Sequence, residues 1–360
     1  MKNTAKNIAF VLPSLGMGGA ERVASELANE FVKNGINTSI ILLDNNEICY
    51  ELDENIDIHF IEYDKNQNTI KRNLQRIKKL RNLLVEKQID SVISFVTSAD
   101  FLAVLATRNI KTKVYVSERS DPSKSSKKIS MIRNFLYKRA DGVIFQTKEA
   151  MEYFPKKIQK KGKIIWNPVK SNLPRWDSVN EHKKVIVTAC RLEESKNIPM
   201  LIDAFEKVKK IHKDYELVIF GNGAEKDNIQ AKIKQLGLEE SVFLKGRNNH
   251  WHDEAIQFSI FVLSSNYEGM SNSLLEALAM GIPVISTDHP VGGAREVIRN
   301  QENGFLIKVN DTDELYTRLI ELIENENLQK KFSNESKKVI QEMNIKVIAK
   351  KWLKFVSDIE

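Results

Sequence analysis

Two carboxylates, Glu268 and Glu276, flank the start of a predicted helix in the run Asn266 to Met280, NYEGMSNSLLEALAM. The run follows an apolar strand, Ser259 to Ser265, turns at Glu268-Gly269 and opens its helix near Ser271 or Asn272. Glu276 then lies about a turn into the helix, while Glu268 stands in front of it, where the first backbone N–H groups and the positive end of the dipole point outward. Such a mouth suits an anion the size of a diphosphate, with the loop carboxylate beside it to grip neutral hydroxyls. Taken alone, a helix capped by Ser271 or Asn272 with a solvated Glu276 explains the run equally well. The two carboxyls should lie on the order of 10 Å apart, too far for a paired-carboxylate hydrolase, and serve different parts of one ligand.

The same chemistry recurs in the preceding loops. Arg191 and Lys196 are five apart in the strand-to-helix loop Ala189 to Asn197, so a guanidinium fork and a point charge can converge on one diphosphate. As an isolated pair they read as two solvated cations. Gly221-Asn222-Gly223 follows the next strand, Gly246-Arg247 the third, and the Glu268 to Glu276 run the fourth. Polar or glycine-rich ligand chemistry thus falls on successive loops at the carboxyl edge of one sheet, where ligands bind in such folds. That coincidence carries the reading.

Near the amino terminus, Gly16-Met17-Gly18-Gly19-Ala20-Glu21-Arg22 joins a strand to a helix, and Asp44 ends the second strand where a ribose-binding acid would sit. An NAD(P)-dependent oxidoreductase is therefore a rival reading. Against it, the third glycine of the dinucleotide fingerprint falls on Glu21, a long acid where phosphate approach and close helix packing both disfavour one. Asp311-Thr312-Asp313 has a cation-binding form but precedes a helix, as an N-cap does, and His250 and His252 lack a third ligand at usable spacing. No metal site is expected.

These loops need sheets to hold them. From Asn7 the chain alternates short apolar strands with helices, as a doubly wound α/β sheet does: Asn7 to Leu15, Ile36 to Asp44, Ile56 to Tyr63, Ser91 to Phe95, Lys113 to Ser117, Gly142 to Gln146 and Lys163 to Trp166. A polar stretch, Lys170 to Lys184, reads as a linker. A second alternation follows, with strands at Val185 to Ala189, Glu216 to Phe220, Val242 to Leu244, Ile260 to Leu263, Val284 to Ser286 and Phe305 to Val309. A chain of 360 residues accommodates two such domains, 1–169 and 170–343. The tail 344–360 carries Ile348, Trp352, Phe355, Val356 and Ile359 on one face and needs a surface to cover.

Composition is that of a globular protein, with 42% hydrophobic and 29% charged residues, no run long enough to span a membrane and no signal-peptide pattern. A cytoplasmic location is expected. Cys49 and Cys190 suggest neither a disulfide framework nor a metal cluster. Charge is unevenly divided: residues 1–170 hold 29 Lys+Arg against 19 Asp+Glu, net +10, and the remainder 26 against 29, net −3. The basic residues concentrate in Lys65 to Arg81 and Lys124 to Arg139, acid-free stretches with apolar residues at helical spacing. Solvated outer helices are one reading, and an anionic surface, membrane or nucleic acid, is another; a basic membrane-surface binding protein without catalysis follows from the latter.

Gly18-Gly19-Ala20-Glu21-Arg22, Arg191-x4-Lys196, Gly221-Asn222-Gly223 and Glu268-x7-Glu276, in this order along nearly the whole chain, resemble the retaining GT-B-fold glycosyltransferases of family four, especially bacterial enzymes of capsule, O-antigen and lipid-linked glycan assembly. The resemblance implies two Rossmann-like domains facing a cleft, with a carboxyl-terminal helix crossing back to the first, and no metal or cofactor beyond the nucleotide-sugar substrate. It places Arg191 and Lys196 on the donor diphosphate, Glu276 on the ribose and Glu268 on the transferred sugar. The backbone of Met270, Ser271, Asn272 and Ser273 would surround sugar and phosphate. Asn222, Gly223 and Arg247 would line the donor site, with the backbone near Arg247 facing the nucleobase and Gly18 and Gly19 bordering the diphosphate. Where many relatives carry a histidine near the sugar, this chain has Arg119, which could reach the sugar, the donor or the acceptor phosphate. The implied reaction moves a hexose or N-acetylhexosamine, expected from a UDP-sugar, to a polyprenyl-diphosphate-linked glycan, at an anionic membrane surface rather than on nucleic acid. The enzyme would then be peripheral at the inner face of the cell membrane.

Overall fold

The computed structural model describes residues 6–176 and 182–357. The middle of the expected linker, 177–181, and Ile359 lie outside them. Contacts divide the chain into an amino-terminal unit, Met1–Pro168 with Asn344–Glu360, and a carboxyl-terminal unit, Val169–Met343.

In the first unit the elements are β1 (Asn7–Leu12), α1 (Gly19–Lys33), β2 (Asn37–Leu42), β3 (Asp57–Phe60), α2 (Thr69–Glu86), β4 (Ser91–Phe95), α3 (Thr97–Ala106), β5 (Lys113–Ser117), α4 (Lys127–Tyr137), β6 (Gly142–Phe145), the short α5 (Lys148–Glu152) and α6 (Lys156–Gln159), and β7 (Gly162–Ile164). Its strands pair in parallel in the order β3-β2-β1-β4-β5-β6-β7. Strands buried on both faces read as continuous apolar runs, and β1 (NIAFVL) is wholly buried after its first residue. α1 presents Val23, Ala24, Leu27, Ala28 and Phe31 to the core and carries Glu21 and Lys33 in the turns where the helix dipole favours them. β7 starts one residue before the expected strand and ends two residues short of it, and Asn167 beyond it is buried.

The second unit contains β8 (Lys183–Ala189), α7 (Ile198–Ile211), β9 (Glu216–Phe220), α8 (Lys226–Gln235), β10 (Val242–Gly246), α9 (Trp251–Ala255), β11 (Phe258–Leu263), α10 (Asn272–Met280), β12 (Val284–Thr287), β13 (Phe305–Ile307), α11 (Thr312–Ile323) and α12 (Glu326–Ile340). Its parallel sheet runs β10-β9-β8-β11-β12-β13. Each unit therefore reverses its winding once, between β1 and β4 in the first and between β8 and β11 in the second. Those are the points where open α/β sheets bind ligands beyond their carboxyl ends.

The last helix, α13 (Ile345–Ser357), returns to the first unit. Ile348, Trp352 and Val356 are fully buried, and the Trp352 ring stacks on Phe95 with centroids 5.5 Å apart. Ser91 Oγ donates to the Val356 carbonyl at 2.8 Å. Gly142 makes room for this packing: a Cβ there would meet the Phe355 ring at 2.7 Å. Among the described residues, no helix is long and apolar enough to cross a membrane.

Candidate active site

In the second unit the loops after β8, β11 and β12 are tied to one another at the switch point. Ser264 Oγ donates to the Lys196 carbonyl at 2.8 Å, Asn266 N to the Ser195 carbonyl at 2.7 Å, and Asn197 Nδ2 to Asn266 Oδ1 at 2.9 Å. Thr287 Oγ1 donates to the Ser265 carbonyl at 2.6 Å. Gly293 packs so closely on the Glu268 turn that a Cβ would stand 1.9 Å from the Gly269 carbonyl oxygen. Val291, a β-branched residue in the same loop, is held at φ 74°, in the left-handed region.

On this frame Lys196 Nζ pairs with Glu268 Oε2. Burial alone would raise the Glu268 pKa, but the charge and hydrogen bond of Lys196, followed by the charges of His289 and Arg191, hold it below the ordinary carboxylate value. His289 is fully buried. Its Nδ1 lies 3.1 Å from the Pro290 carbonyl, which can only accept, so Nδ1 carries the proton. Nε2 has no hydrogen-bond partner. Burial lowers the pKa of the ring. No sequence motif pointed to His289; it reaches Glu268 only through the packing of the β12 loop.

Ser271 caps α10, its Oγ accepting from Leu274 N at 3.4 Å. The helix opens at Asn272, as the sequence indicates, with Met270 and Ser271 buried and Asn272 and Ser273 half-buried at its mouth. Glu276 is not solvated. It is 5% exposed and its Oε2 lies 2.9 Å from Nε2 of the equally buried His252. An ionised carboxylate only accepts, so Nε2 is the donor and His252 fixes the orientation of Glu276.

Arg191 stands further out. It is 68% exposed and pairs with Glu193 at 2.8 Å, although its charge still acts on Glu268. Asn222 and Arg247 are exposed. The two glycines around Asn222 have a structural cause: a Cβ at Gly221 would lie 1.9 Å from the Cys190 carbonyl oxygen, and one at Gly223 2.2 Å from that of Leu192. Leu192 N donates to the Asn222 carbonyl at 3.0 Å. These glycines hold the Arg191 loop by close backbone approach.

In the first unit, Gly18 caps α1 and its carbonyl accepts from the Tyr50 hydroxyl at 2.8 Å. Gly19 is the exposed first residue of the helix. The Glu21 carboxylate folds over Gly18, where a Cβ would meet its Oε2 at 1.9 Å. That puts an anion at the helix start, where a dinucleotide's pyrophosphate would lie. Asp44, the would-be ribose acid, pairs instead with Arg76, which lies over the Tyr63 ring. Arg119 donates to Asn167. Asp311 is the N-cap of α11, accepting from Glu314 N at 2.9 Å.

Residues 171–339 match the family described as glycosyl transferases group 1, and residues 17–173 match glycosyltransferase family 4. The chain is 31% identical to the N-acetylgalactosamine-N,N'-diacetylbacillosaminyl-diphospho-undecaprenol 4-alpha-N-acetylgalactosaminyltransferase of Campylobacter jejuni, over 98% of this chain and 99% of the relative. It is 27% identical, over 98% and 99%, to that organism's GalNAc-alpha-(1->4)-GalNAc-alpha-(1->3)-diNAcBac-PP-undecaprenol alpha-1,4-N-acetyl-D-galactosaminyltransferase. In fold it is similar to Anabaena Alr3699/HepE in complex with UDP and glucose, with TM-score 0.83, 17% identity and coverage of 98% and 99%.

Proposed function

The chain belongs to the group 1 glycosyltransferases of GT-B fold, with a family-four amino-terminal half, and from that premise we propose that it is a retaining, metal-independent transferase. It moves a hexose or N-acetylhexosamine from a UDP-sugar to a polyprenyl-diphosphate-linked saccharide in bacterial surface-glycan synthesis. The observation that carries this reading is the Lys196–Glu268 pair, set before the N-terminus of α10 at the switch point of the second sheet. The undecaprenol-linked substrates named for the Campylobacter relatives support the acceptor class, and the UDP and glucose bound by HepE support the donor.

The roles follow from side-chain chemistry. Lys196 has three N–H donors, so it can keep Glu268 and still take a diphosphate oxygen. Arg191, exposed, exchanges Glu193 for phosphate and supplies the second cation. Glu268, kept ionised, accepts hydroxyls of the transferred sugar, and Glu276, oriented by His252, accepts those of the ribose. The N–H groups of Met270 to Ser273 complete the donor site, with Asn222, Gly223 and Arg247 on its rim. Reaction on one face of the sugar lets the departing diphosphate take the acceptor's proton, with Arg191, Lys196 and the helix terminus stabilising its charge.

The basic helices support a peripheral membrane position. On α4, Ile129, Met131, Ile132 and Phe135 are exposed, Met131 by 69%, among Lys124, Lys127, Lys128 and Arg139. Each lysine or arginine close to an anionic surface adds about 1 kcal/mol. Co-sedimentation with anionic vesicles should fall in a Lys/Arg-to-Gln variant of α4, and binding that ignores salt and these changes contradicts it. The function itself is tested by thermal shift with UDP-sugars, GDP-sugars and NAD(P): stabilisation by a UDP-sugar is expected, and stabilisation by NAD(P) alone would overturn the assignment.

A further inference from the structure

The carboxyl edge of the first sheet gathers a second group of donors. Arg119, two residues beyond β5, donates Nη2 to Asn167 Oδ1, and Nη1 lies 3.5 Å from Ser117 Oγ. Its guanidinium carbon sits 5.1 Å from the centre of the Phe95 ring, the last residue of β4. Gln146, just past β6, donates to the same Asn167 oxygen at 2.7 Å. Arg22, in the first turns of α1, reaches this edge and donates Nη2 to the Pro168 carbonyl at 3.3 Å.

Among the described residues no carboxylate pairs with Arg119. Its neighbour Glu118 turns instead to the fully buried Arg133, at 3.2 Å. Burial, and then the like charge of Arg22, lower the Arg119 pKa to about 9. Its Nε is buried with no hydrogen-bond partner. Arg22 pairs with Glu26 at 2.9 Å, so the half-buried Arg119 guanidinium is the one of the two that lacks a carboxylate among the described residues, and a partly desolvated cation gains from an anion. The elements that converge here, at the ends of β4, β5, β6 and β7 and the start of α1, surround the β1/β4 switch point.

We propose that Arg119, with Arg22 beside it and Asn167 and Gln146 fixing its orientation, forms a phosphate-binding subsite of the amino-terminal unit. A guanidinium fork matches a phosphate's oxygens in a bidentate contact, which a histidine at this position would not make. The inference rests on the transferase reading, in which donor and acceptor both carry a diphosphate. The donor's other cations, Arg191 and Lys196, belong to the carboxyl-terminal unit.

The test is calorimetric titration of the full chain with UDP, and with inorganic pyrophosphate while UDP is saturating. It compares the native protein with Arg119→Gln and Arg119→Lys, each checked for fold by circular dichroism and urea unfolding. If the subsite holds the acceptor's diphosphate, Arg119→Gln weakens pyrophosphate binding to the UDP complex by about ten- to a hundredfold and leaves UDP affinity unchanged. If it holds the donor's, the same substitution weakens UDP by that factor. Arg119→Lys keeps the charge without the fork and should fall between, which preserves the test if the glutamine variant fails to fold. Native affinities for both probes in a folded Arg119 variant would overturn the proposal. Absence of UDP binding to the native protein would instead overturn the transferase reading beneath it.

Discussion

Lys196→Gln removes the ammonium that keeps Glu268 ionised. The Glu268 side chain is 18% exposed, and burial, the largest influence on it, pushes its pKa up; Lys196 reverses the sign. An opposite charge in contact is worth about 1–3 pH units on a carboxylate. Without it burial dominates, and the acid limb of the kcat/KM profile should move to higher pH by about that amount. A carboxyl with a depressed folded pKa contributes stability that is fully present above its unfolded value near 4.3, and that is lost as pH falls through the folded pKa. The variant should therefore also lose this acid-range component of its unfolding free energy. Near neutral pH, loss of one donor to the leaving group costs about 10²–10³ in rate, or about 2.7–4 kcal/mol in the barrier. Acceptor-dependent UDP release, followed from acid to neutral pH alongside urea unfolding, measures both effects. A folded Lys196→Gln protein with the native acid limb and native turnover would refute the reasoning.

Other residues give simpler expectations. Gly221→Ala forces a Cβ to within 1.9 Å of the Cys190 carbonyl oxygen at a φ of 151°, so urea unfolding should show a loss of about 1–3 kcal/mol or more. His252→Ala removes one donor that orients the Glu276 carboxylate and should raise the KM for the nucleotide sugar more than it lowers kcat; an unchanged KM would remove the ribose role of Glu276. Trp352→Ala empties a fully buried site between α13 and β4 and should cost about 3–5 kcal/mol of stability, read from the denaturant midpoint.

Much of the framework is legible in the chain because parallel strands buried on both faces are short, apolar and punctuated. Ser91–Phe95, Lys113–Ser117 and Glu216–Phe220 begin and end where the sequence places them. Strand β8 starts two residues early, since Lys183 and Lys184 add backbone pairing at its exposed end without needing apolar side chains. Ser271 was legible as a cap because a cap is a local event. The unread parts are those in which space rather than sequence brings groups together. His252 meets Glu276 across 24 residues, and Arg119 meets Asn167 across 48. The glycines at 221 and 223 were visible, but their cause, the backbone of Cys190 and Leu192, belongs to another loop. His289 carries no motif at all, and its charge acts on Glu268 from the loop whose Gly293 packs on the Glu268 turn.

The account's central claim is that sugar transfer is carried out at the Lys196–Glu268 site, with the anomeric configuration kept. It is tested most directly by incubating the purified chain with UDP-sugars and a polyprenyl-diphosphate-linked saccharide, and reading the new anomeric proton by NMR in the native protein, Glu268→Gln and Lys196→Gln. The prediction is acceptor-dependent UDP release and an α-linked product from an α-linked donor, lost in both variants. An inverted product, or transfer that persists at the native rate in folded variants of both residues, would contradict it.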